Sequence, residues 1–486
     1  MLEALAGHDA ARIAVRLGTE TVDYGRFRRH VRAVEHWFEQ LDLPKNAVIG
    51  IGTRLGRHSD DFYFDWLVQL AAISRGLDHM LVSDKAALHA GVKQGVLTHL
   101  VVPEAISKVA EPLLRLPIAR GVLNEDVEGE LAPRKPGTRY LNTSGTTGLP
   151  KFAAWTGDIL RGRIAQVEEN VSADTILYPG LQARVTAGFR YPIATWLQGG
   201  SVFLSGRDSA GETASIDISP SNLILFAPNQ LATAARKAPQ MRNAEEREIK
   251  VFGGRVSPKL RERVIGNLAR AITIHYGSTE TGTIAAGDAS LVDRMEGAVG
   301  KVRPDVELQI VDTEGRACAP GDVGVVRIKS PVMTSGYVDT GKVARAATAK
   351  AFKDGWFYPG DLARIDKDGN LAIEARVTDI LNVGGWKTNG RALDDQLERL
   401  PGVEQACSCI ITVDGEDRLG LAWAGENGGG RQIAAFIKKL APDNVLRHVV
   451  RFAHVPHNEA GKVSRPGVAS EIEKVIKAQR EQRKQG

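Results

Sequence analysis

Cysteine is scarce: Cys318, Cys407 and Cys409 are the only three in 486 residues. Three thiols cannot form a disulfide framework and are too few for a four-thiolate zinc site, so this usage predicts a reducing cytoplasm. Long hydrophobic runs are also missing. No stretch approaches the ~18 uninterrupted apolar residues of a membrane helix. The start, MLEALAGHD, lacks the basic residues and long apolar run of a signal peptide, and a cytoplasmic chain without a transmembrane segment is expected. Charge of one sign is not in excess: 63 Lys and Arg stand against 58 Asp and Glu, a net of +5. Nucleic-acid binders concentrate basic charge on one face; here the two signs interleave, so no nucleic-acid partner is expected. Hydrophobic residues at 43% and charged residues at 25% exclude a disordered chain.

Glycine, by contrast, is abundant. There are 51, about 10% against a typical ~7%. Without an internal repeat, the excess points to tight turns and close backbone approaches. The length corresponds to roughly three structural units.

The first 270 residues alternate short apolar runs with helical stretches. Strands are predicted at 47–51, 100–102, 201–204, 223–226, 249–252 and 271–274, and helices at 24–41, 59–74 and 258–271. That alternation predicts an α/β fold with layered, largely parallel sheets. From about residue 300 the pattern turns to period two. Residues 306–311 and 323–328 alternate, and 362–373 reads as a hairpin around Asp366-Lys-Asp-Gly-Asn370. A small antiparallel, barrel-like β subdomain is expected over about 300–376. From 377 a small α+β unit follows, with helices at 391–400 and 431–440 and strands at 405–413 and 419–423. The tail from Glu471 carries five basic and three acidic residues and reads as a solvated helix.

The strongest local signal is Tyr140-Leu-Asn-Thr143-Ser144-Gly145-Thr146-Thr147-Gly148-Leu-Pro150-Lys151. Glycines let backbone N–H groups turn around an anion, hydroxyls add donors and the lysine adds a point charge. This chemistry suits a polyphosphate. The Gly-x4-Gly-Lys-[Ser/Thr] spacing of the common P-loop is absent.

This string resembles the phosphate-binding loop of the adenylate-forming superfamily: acyl-CoA and aryl-CoA synthetases, carrier-protein adenylation domains and beetle luciferases. The family's usual following glycine is Phe152 here. Further motifs resemble the family's in the same order. Phe252-Gly253-Gly254 is similar to the turn whose backbone approaches the adenine. His275-Tyr276-Gly277-Ser278-Thr279-Glu280 is similar to Tyr-Gly-x-Thr-Glu; the resemblance implies that Tyr276 stacks on adenine, Thr279 contacts the α-phosphate and Glu280 holds Mg²⁺. Gly355-Trp356-Phe-Tyr-Pro359-Gly360-Asp361 resembles the motif whose aspartate takes both ribose hydroxyls, with Pro359 in place of threonine. Arg376-Val-Thr378-Asp379-Ile-Leu-Asn382-Val-Gly384-Gly385 resembles the junction of the two family domains. There Arg376 is implied at ribose or phosphate and Gly385 at the pantetheine tunnel, while Thr378 replaces the hinge aspartate and Asn382 a common lysine. Pro456-His-Asn458-Glu-Ala-Gly461-Lys462-Val-Ser-Arg465 resembles the motif of the adenylation lysine, which makes Lys462 the catalytic cation.

The resemblance covers roughly residues 20–470. It implies an N-terminal adenylation domain at 1–376, a mobile C-terminal α+β lid at 377–486, and the substrates ATP, with Mg²⁺, a carboxylic acid and CoA. The implied reaction is ATP-dependent formation of an acyl-adenylate with release of pyrophosphate, then transfer of the acyl group to the CoA thiol. Pantetheine on an acyl or peptidyl carrier protein is the alternative acceptor. A nucleotide-binding homologue without catalysis is the alternative from another class. One wall of the acyl pocket falls by resemblance at Arg184, Val185, Thr186 and Gly188. Small residues there leave space for a chain or ring, and no aspartate stands near Thr186 to bind an α-amine. The acid itself is not specified.

Overall fold

A computed structural model describes residues 2–17, 20–55, 62–127, 129, 131, 134–143, 151–204, 219–237, 244–442, 444–445, 447–456 and 463–485. Strands Val48–Ile51, His99–Pro103, Ser201–Phe203, Leu223–Phe226, Glu248–Phe252 and Ala271–Ser278 form where the apolar runs place them. Six strands make one sheet, in which Val48–Ile51 pairs in parallel with both Asp78–Leu81 and His99–Pro103, and Arg139–Thr143 pairs antiparallel with Lys151–Trp155. A second, 15-stranded sheet carries the parallel run Leu223–Phe226, Glu248–Phe252 and Ala271–Ser278.

The antiparallel section expected near 300–376 is present, and it continues this second sheet edge to edge. Ala271–Ser278 pairs antiparallel with Gly282–Asp288, which pairs with Ala298–Val302, then Asn370–Arg376, then Asp361–Ile365. This continuity brings Asp361 and Arg376 to register partners in one hairpin. The helix foreseen to run from 258 to 271 stops at Val264, because Ile265 is extended and Gly266 takes a φ of 78°. Phe152, at the family's glycine position, is 1% exposed and packs with Met80 and Val82, so it serves the core of the six-stranded sheet.

Beyond residue 376 come the strand pair Ile380–Val383 and Trp386–Asn389, the helix Gly390–Glu398, and a three-stranded sheet of Val403–Val413, Glu416–Gly425 and Arg447–Arg451. Helix Gly429–Leu440 and the terminal helix Arg465–Gln485 cover it. The hydrophobic clusters here draw on residues from Leu381 to Ile476 and share none with the clusters before them. The seam is polar: Arg255, just past the Gly253-Gly254 turn, donates to Asp395 at 2.7 Å and to the Glu374 carbonyl at 3.0 Å.

Burial drives the Glu398 carboxyl up to about 8, with repulsion from Asp395 and Asp394 adding and the Ala406 N–H opposing. Its folded pKa lies above its ordinary value of 4.5, so between about pH 4.5 and 8 the folded state keeps a proton that the unfolded state has lost. Stability of this unit therefore falls as pH rises through that window. Glu398→Gln keeps the acceptor for Ala406. It is expected to protect strand Val403–Val413 from amide exchange at pH 8 while leaving protection at pH 4.5 unchanged; equal effects at both pH values would contradict the assignment.

Candidate active site

Strand Arg139–Thr143 delivers the polyphosphate-type loop, and Lys151 opens the strand that leaves it. Ser144, Gly145, Thr146, Thr147 and Gly148 lie outside the described residues. Their flanks close on each other: Thr143 is the register partner of Lys151 and its hydroxyl donates to the Lys151 carbonyl at 3.3 Å. The Lys151 ammonium sits 5.1 Å from the centre of the Tyr337 ring. Tyr337 in turn donates its hydroxyl to Oε1 of Glu280 at 2.7 Å. A cationic lysine and a carboxylate that is 8% exposed thus share one aromatic spacer.

Glu280 ends the segment that begins with Tyr276. The strand pairing shifts register between Tyr276 and Gly277, and a Cβ on Gly277 would lie 2.2 Å from the Gly282 carbonyl oxygen. Glycine is required there for the hairpin to close. Ser278 then holds the turn, its Oγ accepting the Glu280 and Thr281 N–H groups, each at 3.2 Å. The Thr279 carbonyl takes the Trp155 indole N–H at 2.9 Å and Nη1 of Arg163 at 2.7 Å.

Tyr276 donates its hydroxyl to Oδ2 of Asp361 at 2.6 Å, and Nε of Arg376 lies 3.2 Å from Oδ1 of the same carboxylate. Asp361 is 3% exposed. Burial, followed by the Asp361 charge, holds the Tyr276 hydroxyl well above its ordinary pKa, so it stays protonated and can only donate to the carboxylate. A carboxylate offers about four lone-pair sites, so two bonds still leave acceptor capacity for a diol. Gly253 (φ 82°) turns the chain after Phe252, and a Cβ on Gly254 would press on Pro228 at 2.8 Å.

The remaining predicted positions stand as follows. Val185 precedes helix Thr186–Leu197 and packs on the main core, while Nε of Arg184 donates to the Gln182 side chain at 2.9 Å. The space expected beside Gly188 is filled, since a Cβ there would lie 2.2 Å from the Gln182 carbonyl oxygen. Gly188 therefore serves packing of the 181–182 backbone. Gly385 is exposed with φ 85°, in the turn between Ile380–Val383 and Trp386–Asn389. Gly461 and Lys462 lie outside the described residues. Arg465, from the same motif, pairs with Asp394 at 2.8 Å and Asp379 at 3.3 Å, anchoring the chain beyond Lys462 to the C-terminal unit beside Thr378.

Sequence reasoning missed Trp155, Arg163 and Tyr337, each of which acts through partners more than 50 residues away. No local pattern marks them. Among the described residues no cluster of three or more His, Cys, Asp or Glu could cage a metal. A single buried carboxylate suits Mg²⁺ carried mainly by phosphates and water, and Glu280 fits that role.

Residues 123–338 match the AMP-binding enzyme family. A salicylyl-CoA synthase / salicylate adenylyltransferase of Streptomyces sp is 27% identical over 294 residues, 55% of this chain and 50% of that protein. A feruloyl-CoA synthase of Amycolatopsis sp is 26% identical over 341 residues, 66% of this chain and 67% of that one. The chain thus spans about half to two thirds of the length of the curated relatives it matches. Its fold superposes on ATP-bound MatB from Rhodopseudomonas palustris with a TM-score of 0.79 at 18% identity, covering 98% of this chain and 99% of that one. Residues 123–338 thus resemble AMP-binding enzymes in sequence, and the whole chain shares the fold of the solved structure.

Proposed function

We propose that the protein activates a carboxylic acid as its acyl-adenylate, releasing pyrophosphate, and then passes the acyl group to the thiol of CoA. The observation that carries this reading is one connected line of side chains. It runs from Lys151 through Tyr337 to Glu280, back along the same turn to Tyr276, and on to Asp361 and Arg376. Its cation, carboxylate, aromatic ring and diol acceptor supply the kinds of group that the phosphates, base and ribose of ATP require.

In this reading a carboxylate oxygen of the acid attacks the α-phosphorus of ATP, and pyrophosphate leaves with the electron pair of the broken P–O bond. Such transfer depends on positioning and charge stabilisation more than on covalent help from the protein. Lys151 and the 143–148 loop hold the β- and γ-phosphates and Thr279 the α-phosphate. Tyr276 and the Gly253-Gly254 turn hold the base, and Asp361 and Arg376 the ribose. Glu280 would hold Mg²⁺, which would supply neutralising charge to the phosphates. Lys462 stabilises the charge that develops between the acid and the α-phosphate. The thiol then attacks the acyl carbon and AMP leaves, with Gly385 beside the thiol's path. Residues 1–376 form the adenylation domain and 377–486 the lid, which the separate hydrophobic clusters beyond residue 380 support. The salicylyl- and feruloyl-CoA relatives favour an aromatic acid. A carrier-protein pantetheine, which ends in the same thiol, is the alternative acceptor, and the cytoplasm, where CoA and ATP coexist, is the proposed location.

Pyrophosphate release across aromatic, fatty and short-chain acids, with and without CoA, tests the reading. Release with an aromatic acid and CoA-dependent thioester formation are expected. No release with any acid would overturn the function, and release without a CoA thioester would transfer the second half to a carrier protein. Lys462→Ala is expected to slow adenylation by ~10²–10³ while thioester formation from supplied acyl-adenylate persists. Equal losses in both halves would contradict the role of Lys462.

A further inference from the structure

Arg163 lies on the helix Gly157–Glu168, which follows directly from the strand opened by Lys151. Its side chain is fully buried, and among the described residues it has no carboxylate partner. Instead its fork meets three backbone carbonyls: Nε donates to Val332 at 2.9 Å, Nη1 to Thr279 at 2.7 Å and Nη2 to Glu280 at 2.7 Å. The guanidinium carbon rests 4.2 Å from the centre of the Trp155 ring, and the indole N–H of Trp155 reaches the same Thr279 carbonyl. The Glu280 charge favours this cation without pairing with it directly, and burying such a cation is still costly. The planar fork satisfies three convergent acceptors in fixed directions, which neither lysine nor a neutral side chain does.

The turn it grips has little freedom left. The Glu280 carbonyl also accepts the Thr334 N–H at 2.8 Å, the Thr281 carbonyl takes the Ser330 hydroxyl at 3.2 Å, and Ser278 Oγ accepts the N–H groups of 280 and 281. A second buried guanidinium braces the first: Arg190 donates to the Arg163 carbonyl at 3.3 Å and to the Thr283 hydroxyl at 2.9 Å. The stretch of chain that emerges from the phosphate loop therefore also holds the backbone on which Glu280 sits.

We propose that Arg163, aided by Trp155, is a positioning residue that fixes the Thr279–Glu280 backbone relative to Lys151, and so sets where the Glu280 carboxylate meets the magnesium of Mg-ATP. What Glu280 does rests on the function proposed above; the clamp itself does not.

The test compares wild type with Arg163→Lys and Trp155→Phe in three measurements: the Mg²⁺ dependence of pyrophosphate release, the KM for the acid, and amide exchange at 280 and 281. Lysine keeps the charge but cannot span three carbonyls. For Arg163→Lys, half-saturating Mg²⁺ and exchange at 280–281 should each rise about tenfold, with the acid KM within about twofold. Unchanged Mg²⁺ dependence and exchange in the folded variant would overturn the proposal, as would an equal rise in acid KM, the mark of a general structural defect. If Arg163→Lys does not fold, Trp155→Phe, which removes one donor from Thr279, should shift both readouts about threefold, and no shift would overturn it. If wild type releases no pyrophosphate with any acid, the functional reading falls while the exchange measurement still decides the clamp.

Discussion

A carboxylate held out of water needs partners, and the structure around the proposed nucleotide site is built on the partners of one of them. Asp361 is 3% exposed and is compensated by a phenol from one strand and a guanidinium from another. Those three side chains come from Ala271–Ser278, Asp361–Ile365 and Asn370–Arg376. Removing Tyr276 or Arg376 leaves the buried Asp361 carboxylate short of a partner, which is why contacts of this kind fix geometry so firmly. The pairing that brings them together is the run of antiparallel strands continuing the parallel sheet, so the fold and the site rest on the same contact.

The same logic of buried charge meeting fixed acceptors recurs around Glu280. There the carboxylate is met by the Tyr337 hydroxyl and its backbone by Arg163. Further along the chain, Arg465 pairs with Asp394 and Asp379, so that the segment just beyond the proposed adenylation lysine is anchored to the C-terminal unit. Each arginine sits where its fork can reach two or three oxygens at once, a geometry suited to guanidinium rather than ammonium.

Much of this was legible in the sequence, for a physical reason. Tyr276, Glu280, Asp361 and Arg376 stand in short strings that resemble family motifs, and it is that resemblance that singled them out. The strand run Leu223-Ile-Leu-Phe226 was equally plain, because fully buried strands need continuous apolar residues. Arg163, Trp155 and Tyr337 could not be read, since their partners are brought near only by the tertiary fold and nothing distinguishes a buried arginine on a helix from a solvated one. The helix expected over 258–271 stops at Val264, since Gly266 takes a left-handed conformation. At Gly188 the small side chain was read as room for substrate, whereas the 181–182 backbone occupies that room. The glycine excess thus has two sources, close approach between backbone segments and turns beside the proposed ligands.

The central claim is that the buried Asp361 carboxylate keeps acceptor capacity for a ribose diol while held by Tyr276 and Arg376. Equilibrium titration of the wild-type protein with AMP and with 2′,3′-dideoxy-AMP tests it without any substitution. The account expects AMP to bind and the dideoxy nucleotide to bind about 100-fold more weakly, because buried acceptors lose their donors. Equal affinity for the two nucleotides, or no binding of AMP, would contradict it.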